Sequence, residues 1–424
     1  MNASVGLLYD LFVIFLAAKI AAEVFERLHQ PPVIGELLAG VLIGPYALGL
    51  IGQPDAGLIA LFGGNVAAAE EAIEAIYHLI AELGVIVLLF FVGLETRVAD
   101  MLRVGGRAAL VAVLGVVAPF VLGFALVGPL LGHPQLEAIF VGAALVATSV
   151  GITARVLRDL GVIASVESRI ILGAAVIDDI LAMIILAIVA GLATTGSVSA
   201  LQIGLIAGQA VLFTGFVVLV GSGAVRRFGL HLDALRMDNA PFAVALLAML
   251  GLAALAASIG LAAIIGAFLA GMVFAEANER YELERQALPI YQFLVPFFFV
   301  ITGSQVNWRL FLDGGILGLA LAITLVALLT KLGGCGLGML GYRWRSVAIV
   351  GVGMAPRGEV GLIVASLGLS LGAIPSEVFG VVVIMSVLTT LVVPPVLRLL
   401  YARDPARPHA AEDRTSPAGL LPEL

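Results

Sequence analysis

Charge is scarce in this 424-residue chain. Charged side chains make up 12% of it, about half the share of a soluble globular protein, so an ordinary water-soluble domain is excluded. Cysteine is nearly absent: Cys335 stands alone, which rules out an intramolecular disulfide and a cysteine-built metal site. Lysine occurs twice, as Lys19 and Lys331. The five histidines, His29, His78, His133, His231 and His409, fall in loops or near helix ends, and none has metal-ligand spacing. The chain opens MNASVGLLYDLF without a basic stretch, so no cleaved signal peptide is expected. What is present is apolar: 61% hydrophobic residues, 50 glycines and a mean hydropathy of +1.15. Small residues among long apolar runs suit a polytopic helical membrane protein, whose helices approach closely at Gly and Ala.

A membrane-crossing helix needs about 20 apolar residues. Qualifying segments begin near Val5, Pro32, His78, Gly106, Leu136, Ser168, Ser199, Asn239, Gly260, Leu288, Gly314, Ser346 and Glu377, which predicts thirteen helices. The stretch Asn239 to Ala275 carries no charge. As one helix it would run about 55 Å, far beyond a roughly 30 Å hydrocarbon core, so it is split at Ser258-Ile259-Gly260. The same reasoning splits Ile180 to Val225 at Thr194-Thr195-Gly196-Ser197. Arginines then choose the orientation. Arg27, Arg97, Arg103, Arg107, Arg155, Arg158, Arg169, Arg226, Arg227, Arg236, Arg280, Arg285, Arg343 and Arg345 follow odd-numbered helices, and Arg398, Arg403, Arg407 and Arg414 mark the last helix end and tail. The loops after even-numbered helices hold only Arg309. The positive-inside rule puts the N-terminus outside and the C-terminus in the cytoplasm. Asp55, Glu70, Glu71 and Glu74 then fall in the longest outer loop.

The sequence repeats itself. Val33-Ile-Gly-Glu-Leu-Leu-Ala-Gly40 in the second helix echoes Ile264-Ile-Gly-Ala-Phe-Leu-Ala-Gly271 in the ninth. More weakly, Leu89-Phe-Phe-Val-Gly93 in the third echoes Phe297-Phe-Phe-Val-Ile-Thr-Gly303 in the tenth. Both echoes are seven helices apart. Because seven is odd, the copies run in opposite directions, giving an inverted repeat of five helices each, a mark of secondary transporters.

Few ionisable groups lie deep in the apolar segments. Asp178 and Asp179 stand near the middle of the sixth helix. An intramembrane carboxylate is costly unless protonated, paired or hydrated, so adjacent midplane acids read as an ion or proton site rather than a structural polar pair. Their side chains diverge by about 100°, which lets one face a cavity and the other a protein partner. Lys331, about 17 residues into the eleventh helix, is the expected partner; the alternative is a lysine snorkelling to the interface. Two helices read as interrupted in matching positions of the repeat. The fifth carries Ala147-Thr148-Ser149-Val150-Gly151-Ile152-Thr153, and the twelfth carries Pro356-Arg357-Gly358-Glu359. Pro356 removes a backbone donor and Gly358 loosens the turn. Thr148 and Ser149 offer oxygens either to a cation or to a neighbouring helix. Arg357 and Glu359 read as charge compensators at the breaks. Glu36, Glu82 and Glu95 lie near expected helix ends and read as solvated caps, and Glu276, Glu279, Glu282 and Glu284 as a solvated loop.

Pro32–Gly40, Ala147–Arg155, Arg169–Asp179 and Met354–Gly361 together resemble the monovalent cation:proton antiporter superfamily, in its branch with paired aspartates, closest to bacterial Na+/H+ antiporters. The resemblance spans about residues 5 to 400. It implies a homodimer in the cell (inner) membrane. Helices one to three (1–100) and eight to ten (239–304) would form a dimerisation scaffold. Helices four to six (104–192) and eleven to thirteen (313–401) would form a mobile core in which the two broken helices cross. Helix seven (198–226) would link them, and 402–424 would be a short cytoplasmic tail. It further implies that Asp179 is the principal ligand for Na+ (or Li+ or K+) and the H+ carrier, and that Asp178 pairs with Lys331 and releases it when the cation binds. The lysine-bearing pattern is similar to electrogenic members. No cofactor, resident metal or nucleic acid is expected. The nearest rival is a K+/H+ exchanger or gated K+ efflux system of the same superfamily, although the tail is too short for a nucleotide-binding domain. An intramembrane aspartyl protease would need its aspartates on separate helices, so no enzyme is expected.

Overall fold

The computed structural model describes residues 3–28, 30–195, 200–221, 223, 227, 239–312 and 314–402. The expected tail from 403 onward with Arg403, Arg407 and Arg414, the loop residues Arg226 and Arg236, His29, His231, His409, and the turn at Gly196-Ser197 lie outside the described residues.

The described residues form helices, with no strand among them. In chain order these are α1 (Ala3–Arg27), α2 (Pro32–Ile43), α3 (Ala56–Leu61), α4 (Val66–Leu94), α5 (Val98–Ala125), α6 (Gln135–Ala144), α7 (Val150–Asp159), α8 (Val166–Thr195), α9 (Ala200–Phe216), α10 (Ala240–Ser258), α11 (Ala263–Tyr281), α12 (Leu283–Ser304), α13 (Gly314–Gly338), α14 (Trp344–Gly353), α15 (Glu359–Ser370) and α16 (Ser376–Ala402). Among the described residues nine helices are long and apolar enough to cross a membrane: α1, α4, α5, α8, α9, α10, α12, α13 and α16. Leu8, Phe12 and Ile20 on α1 and Leu201, Leu212 and Leu219 on or just after α9 are exposed. An apolar surface of this kind belongs in lipid rather than water.

The break expected at Ser258–Gly260 is present. α10 ends at Ser258 and α11 starts at Ala263, and Gly260 takes a φ of +80° that a glycine adopts without strain. Two helix starts differ from expectation. α4 begins at Val66 instead of near His78, and α5 at Val98 instead of near Gly106. Glu70, Glu71 and Glu74 are therefore helical rather than in a loop, and Asn65 caps the start by accepting from the Ala68 N–H at 3.2 Å. Hydropathy marks the apolar part of a helix, whereas its ends are set by capping and backbone hydrogen bonds.

The helices pack in two groups. α1, α2, α4 and α10–α12 pack mainly among themselves, and α5–α8 with α13–α16 form the second group, in which α7 also touches α2 and α4 of the first; α9 runs from α8 toward α11. Inside the first group, the repeated glycines sit at matched close approaches. A Cβ on Gly40 would lie 2.0 Å from the Val300 carbonyl oxygen, and one on Gly303 would lie 2.1 Å from that of Leu37. The equivalent positions repeat this: Gly271 against Phe90 at 2.2 Å and Gly93 against Phe268 at 2.4 Å. The glycines of the two sequence echoes thus sit at two close helix crossings, α2 with α12 and α11 with α4.

Candidate functional site

The second group is built around two interrupted helices. α6 stops at Ala144 and α7 resumes at Val150; α14 stops at Gly353 and α15 resumes at Glu359. Backbone groups freed inside a membrane need other partners, and here each break supplies the other. The Ser149 N–H donates to the Pro356 carbonyl at 2.9 Å. The Thr148 hydroxyl donates to the Met354 carbonyl at 3.2 Å, and that of Thr153 to the Gly353 carbonyl at 2.7 Å. Arg357 Nη1 donates to the Ala147 carbonyl at 3.2 Å. The side chains of α16 complete the set: Thr389 Oγ1 accepts from the Arg357 N–H at 3.1 Å, and the Thr390 hydroxyl donates to the Arg357 carbonyl at 2.9 Å. Gly358 is required by proximity, since a Cβ there would lie 2.6 Å from Ser149 Oγ. Gly151 and Thr153 are buried in the first turn of α7.

Asp178 and Asp179 sit on α8 beside this crossing. Lys331 Nζ on α13 donates to Asp178 Oδ1 at 2.9 Å, and both side chains are wholly buried. The second Asp178 oxygen accepts from the Thr148 N–H at 3.0 Å. A full charge in an apolar interior is tolerated when paired and hydrogen-bonded in this manner. Arg357, also fully buried, adds a second cation to the crossing. Asp179 turns away from this pair, as the helical angle requires. It borders a space of about 10 Å3 with Leu89 of α4, Val150 of α7, Leu172 and Val176 of α8, and Ile264 and Phe268 of α11. It therefore lies at the boundary between the two packing groups. Expected residues Thr148, Ser149, Pro356, Arg357 and Gly358 converge here. Glu359 opens α15, and its side chain lies outside the described ones.

Two larger cavities approach from opposite ends. One, about 1150 Å3, is lined by Gln30, Arg97, Glu284 and Arg398 from the arginine-rich face and by buried Glu36, Val156 and Tyr291. The other, about 430 Å3 and mostly apolar, runs from Tyr46, Asn307 and Ser376 to Ser149 and Arg357.

Reading the acids as helix caps missed part of this. Glu36 is not a solvated cap: it is 1% exposed within α2 and lies 3.6 Å from Arg155. Glu95 does terminate α4, but it is largely shielded and pairs with Arg158 at 3.4 Å. Burial and nearby Glu284 push the Glu95 carboxyl from the usual 4.5 to about 7, against the opposing pull of Arg158. The available signal for Glu36 was its place among Val33, Ile34 and Leu37, the apolar face of one helical turn.

The comparisons agree with this geometry. Residues 12–402 match the family model described as sodium/hydrogen exchanger, transmembrane. The chain is 38% identical to the high-affinity Na+/H+ antiporter NhaS3 of Synechocystis, over 97% of this chain and 93% of that protein. It is 37% identical to the Na+/H+-K+ antiporter GerN of Bacillus cereus, over 94% and 97% respectively. Its fold is similar to that of the sodium proton antiporter MjNhaP1 of Methanocaldococcus jannaschii, with a TM-score of 0.63 at 17% identity, covering 95% of this chain and 98% of that one. With the family model matched over residues 12–402 and relatives 37–38% identical over nearly the whole chain, this multi-pass helical protein, with two interrupted helices beside a buried Asp–Lys pair, is a member of the sodium/hydrogen exchanger family, a family of transporters.

Proposed function

We propose that this protein exchanges a monovalent cation, Na+ first, for protons by alternating access. The observation that carries the reading is Asp179, placed between the two packing groups beside the buried Asp178–Lys331 pair. A carboxylate there can hold either a proton or a desolvated cation, and the two compete. Asp178, held by Lys331 and the Thr148 N–H, leaves Lys331 when a cation at Asp179 draws it away. Lys331 then loses its partner and its proton, because an unpaired buried ammonium is costly. Charge moved by Lys331 in addition to Asp179 makes the exchange electrogenic.

The helices α1, α2, α4 and α10–α12 serve as the dimerisation scaffold, α5–α8 and α13–α16 as the moving core, and α9 as the link. The nine long helices with α2, α11 and the two interrupted pairs supply thirteen crossings. The paired glycine contacts support an inverted repeat, and the common face of Arg97, Arg398 and Gln30 supports a cytoplasmic arginine-rich side in an inner membrane. The naming of GerN as a Na+/H+-K+ antiporter favours K+ as the second cation to test.

Purified protein in proteoliposomes, given an imposed pH gradient and Na+, Li+ or K+ in turn, tests the reading. Cation-dependent proton movement is expected with Na+. Absence of coupled exchange with all three cations would overturn it.

A further inference from the structure

Two arginines in the last turns of α7 reach out of their own packing group. Arg155 Nη2 lies 3.6 Å from Glu36 Oε1 on α2, and its guanidinium carbon is 5.4 Å from the centre of the Tyr291 ring on α12. Arg158 sits between two rings, 4.2 Å from Phe91 of α4 and 4.1 Å from Tyr291, and its Nε is 3.4 Å from Glu95. Planar guanidinium groups suit such stacked and paired positions. One short helix of the core is thereby held to three helices of the scaffold. Glu36 Oε2 makes no hydrogen bond, and Arg155 is the cation within ion-pair distance of this buried side chain.

The place of these contacts matters as much as their chemistry. Glu36, Arg155, Val156 and Tyr291 line the large cavity on the arginine-rich face, and Asp179 does not. Asp179 borders its own small space, closed on one side by Val150. Val150 and Val156 lie on the same helix, about 9 Å apart along its axis. A cation moving from the cavity to Asp179 must therefore wait for α7 to shift against α2, α4 and α12. That shift separates Arg155 from Glu36.

We infer that Glu36 is a positioning residue of the exchange cycle: with Arg155 it latches α7 to the scaffold and keeps Asp179 shut off from the cavity on the arginine-rich face. The inference rests on the proposed movement of core against scaffold. Glu36 touches neither cation nor proton at Asp179, so it governs how often the path opens and not how tightly the cation binds. Asp159, 2.9 Å from Arg155 Nε on the same helix, moves with α7 and cannot hold it to the scaffold.

The test uses a thiol reporter, Val150→Cys, in a Cys335→Ala background. Inside-out membrane vesicles present the arginine-rich face to a charged, membrane-impermeant thiol reagent. Glu36→Gln and Arg155→Gln should each speed labelling about tenfold, and the double variant should be no faster than either, because one contact is lost in all three. Turnover should change in Glu36→Gln while the cation KM stays within about twofold. If Arg155→Gln does not fold, Glu36→Gln carries the labelling test by itself, with Arg155→Lys, which keeps the positive charge, expected to label like wild type. Unchanged labelling, or effects that multiply in the double variant, would overturn the latch. A second arm separates this from failure of the moving-core reading: Glu36→Cys/Arg155→Cys, again with Cys335→Ala, bridged by a short bis-methanethiosulfonate that forms a reducible disulfide with each cysteine. Exchange that stops on bridging and returns on reduction, together with unchanged labelling in Glu36→Gln, removes the latch alone. Exchange that continues in the bridged protein removes both.

Discussion

Lys331 passes beside Gly115 to reach Asp178. A Cβ on Gly115 would lie 2.6 Å from Cys335 Sγ, and Gly334 and Gly338 on α13 meet Leu114 and Val111 as closely, so α5 and α13 come together at a set of glycines. The 2.9 Å pair that results is wholly buried and is the feature on which the electrogenic reading turns. Lys331→Gln keeps much of the side-chain volume and removes the charge. It should lower stability by about 3–5 kcal/mol unless Asp178 takes up a proton, and transport should become less electrogenic or cease. Transport current measured against chemical flux, in the same liposomes, checks this. An unchanged charge per cation at an undiminished rate would reduce Lys331 to a structural anchor.

Asp179→Asn should abolish exchange and leave the fold intact. Asparagine fits the same space but cannot alternate between a proton and a cation. Thermal unfolding in detergent and flux in liposomes are the two readouts, and wild-type flux in this variant would remove Asp179 from the mechanism.

If one carboxylate serves both ions, lowering the pH should raise the apparent KM for the cation, up to tenfold per pH unit below the carboxylate pKa. Initial rates across a cation series at several pH values measure it. A KM that holds steady while the maximal rate changes would point to two separate sites.

Glu95, just past the end of α4, gives a pH signature in stability. Burial and Glu284 raise its pKa to about 7 from 4.5, with Asp159 adding to the rise and Arg158 opposing it. The folded protein therefore binds this proton more tightly than the unfolded chain, so the contribution is present below about pH 4.5 and is lost as the pH rises through about 7. Glu95→Gln should remove that portion of the slope. Tm measured from pH 4 to 8 should fall more steeply in wild type than in the variant, and parallel curves would show that Glu95 does not titrate in this range.

Gly358→Ala should disrupt the crossing, because its new methyl would lie 2.6 Å from Ser149 Oγ and 2.7 Å from Ser149 Cβ. Exchange should fall by more than tenfold. Ser149→Gly in the same chain removes both clashing atoms and should restore part of the rate. Full activity in Gly358→Ala alone would show that the two breaks separate freely.

Composition and the spacing of apolar runs by themselves determined a multi-pass helical chain, the turn at Gly260 and the two interrupted helices. The physical reason is that lipid imposes one strong rule per segment: about 20 apolar residues per crossing, with every polar exception conspicuous. Asp178, Asp179 and Lys331 are such exceptions, and Pro356 marks a helix break; all stand out without any knowledge of their neighbours. Tertiary structure alone decided what lies near the helix ends. Val66 and Val98 begin helices that extend beyond the apolar run, since caps and hydrogen bonds set a terminus. Glu36 and Arg155 carry no mark in the sequence that joins them. An acid near one helix end and a basic loop residue far along the chain each read as solvated, and only the packing of α7 against α2 removes both from water and makes them a pair.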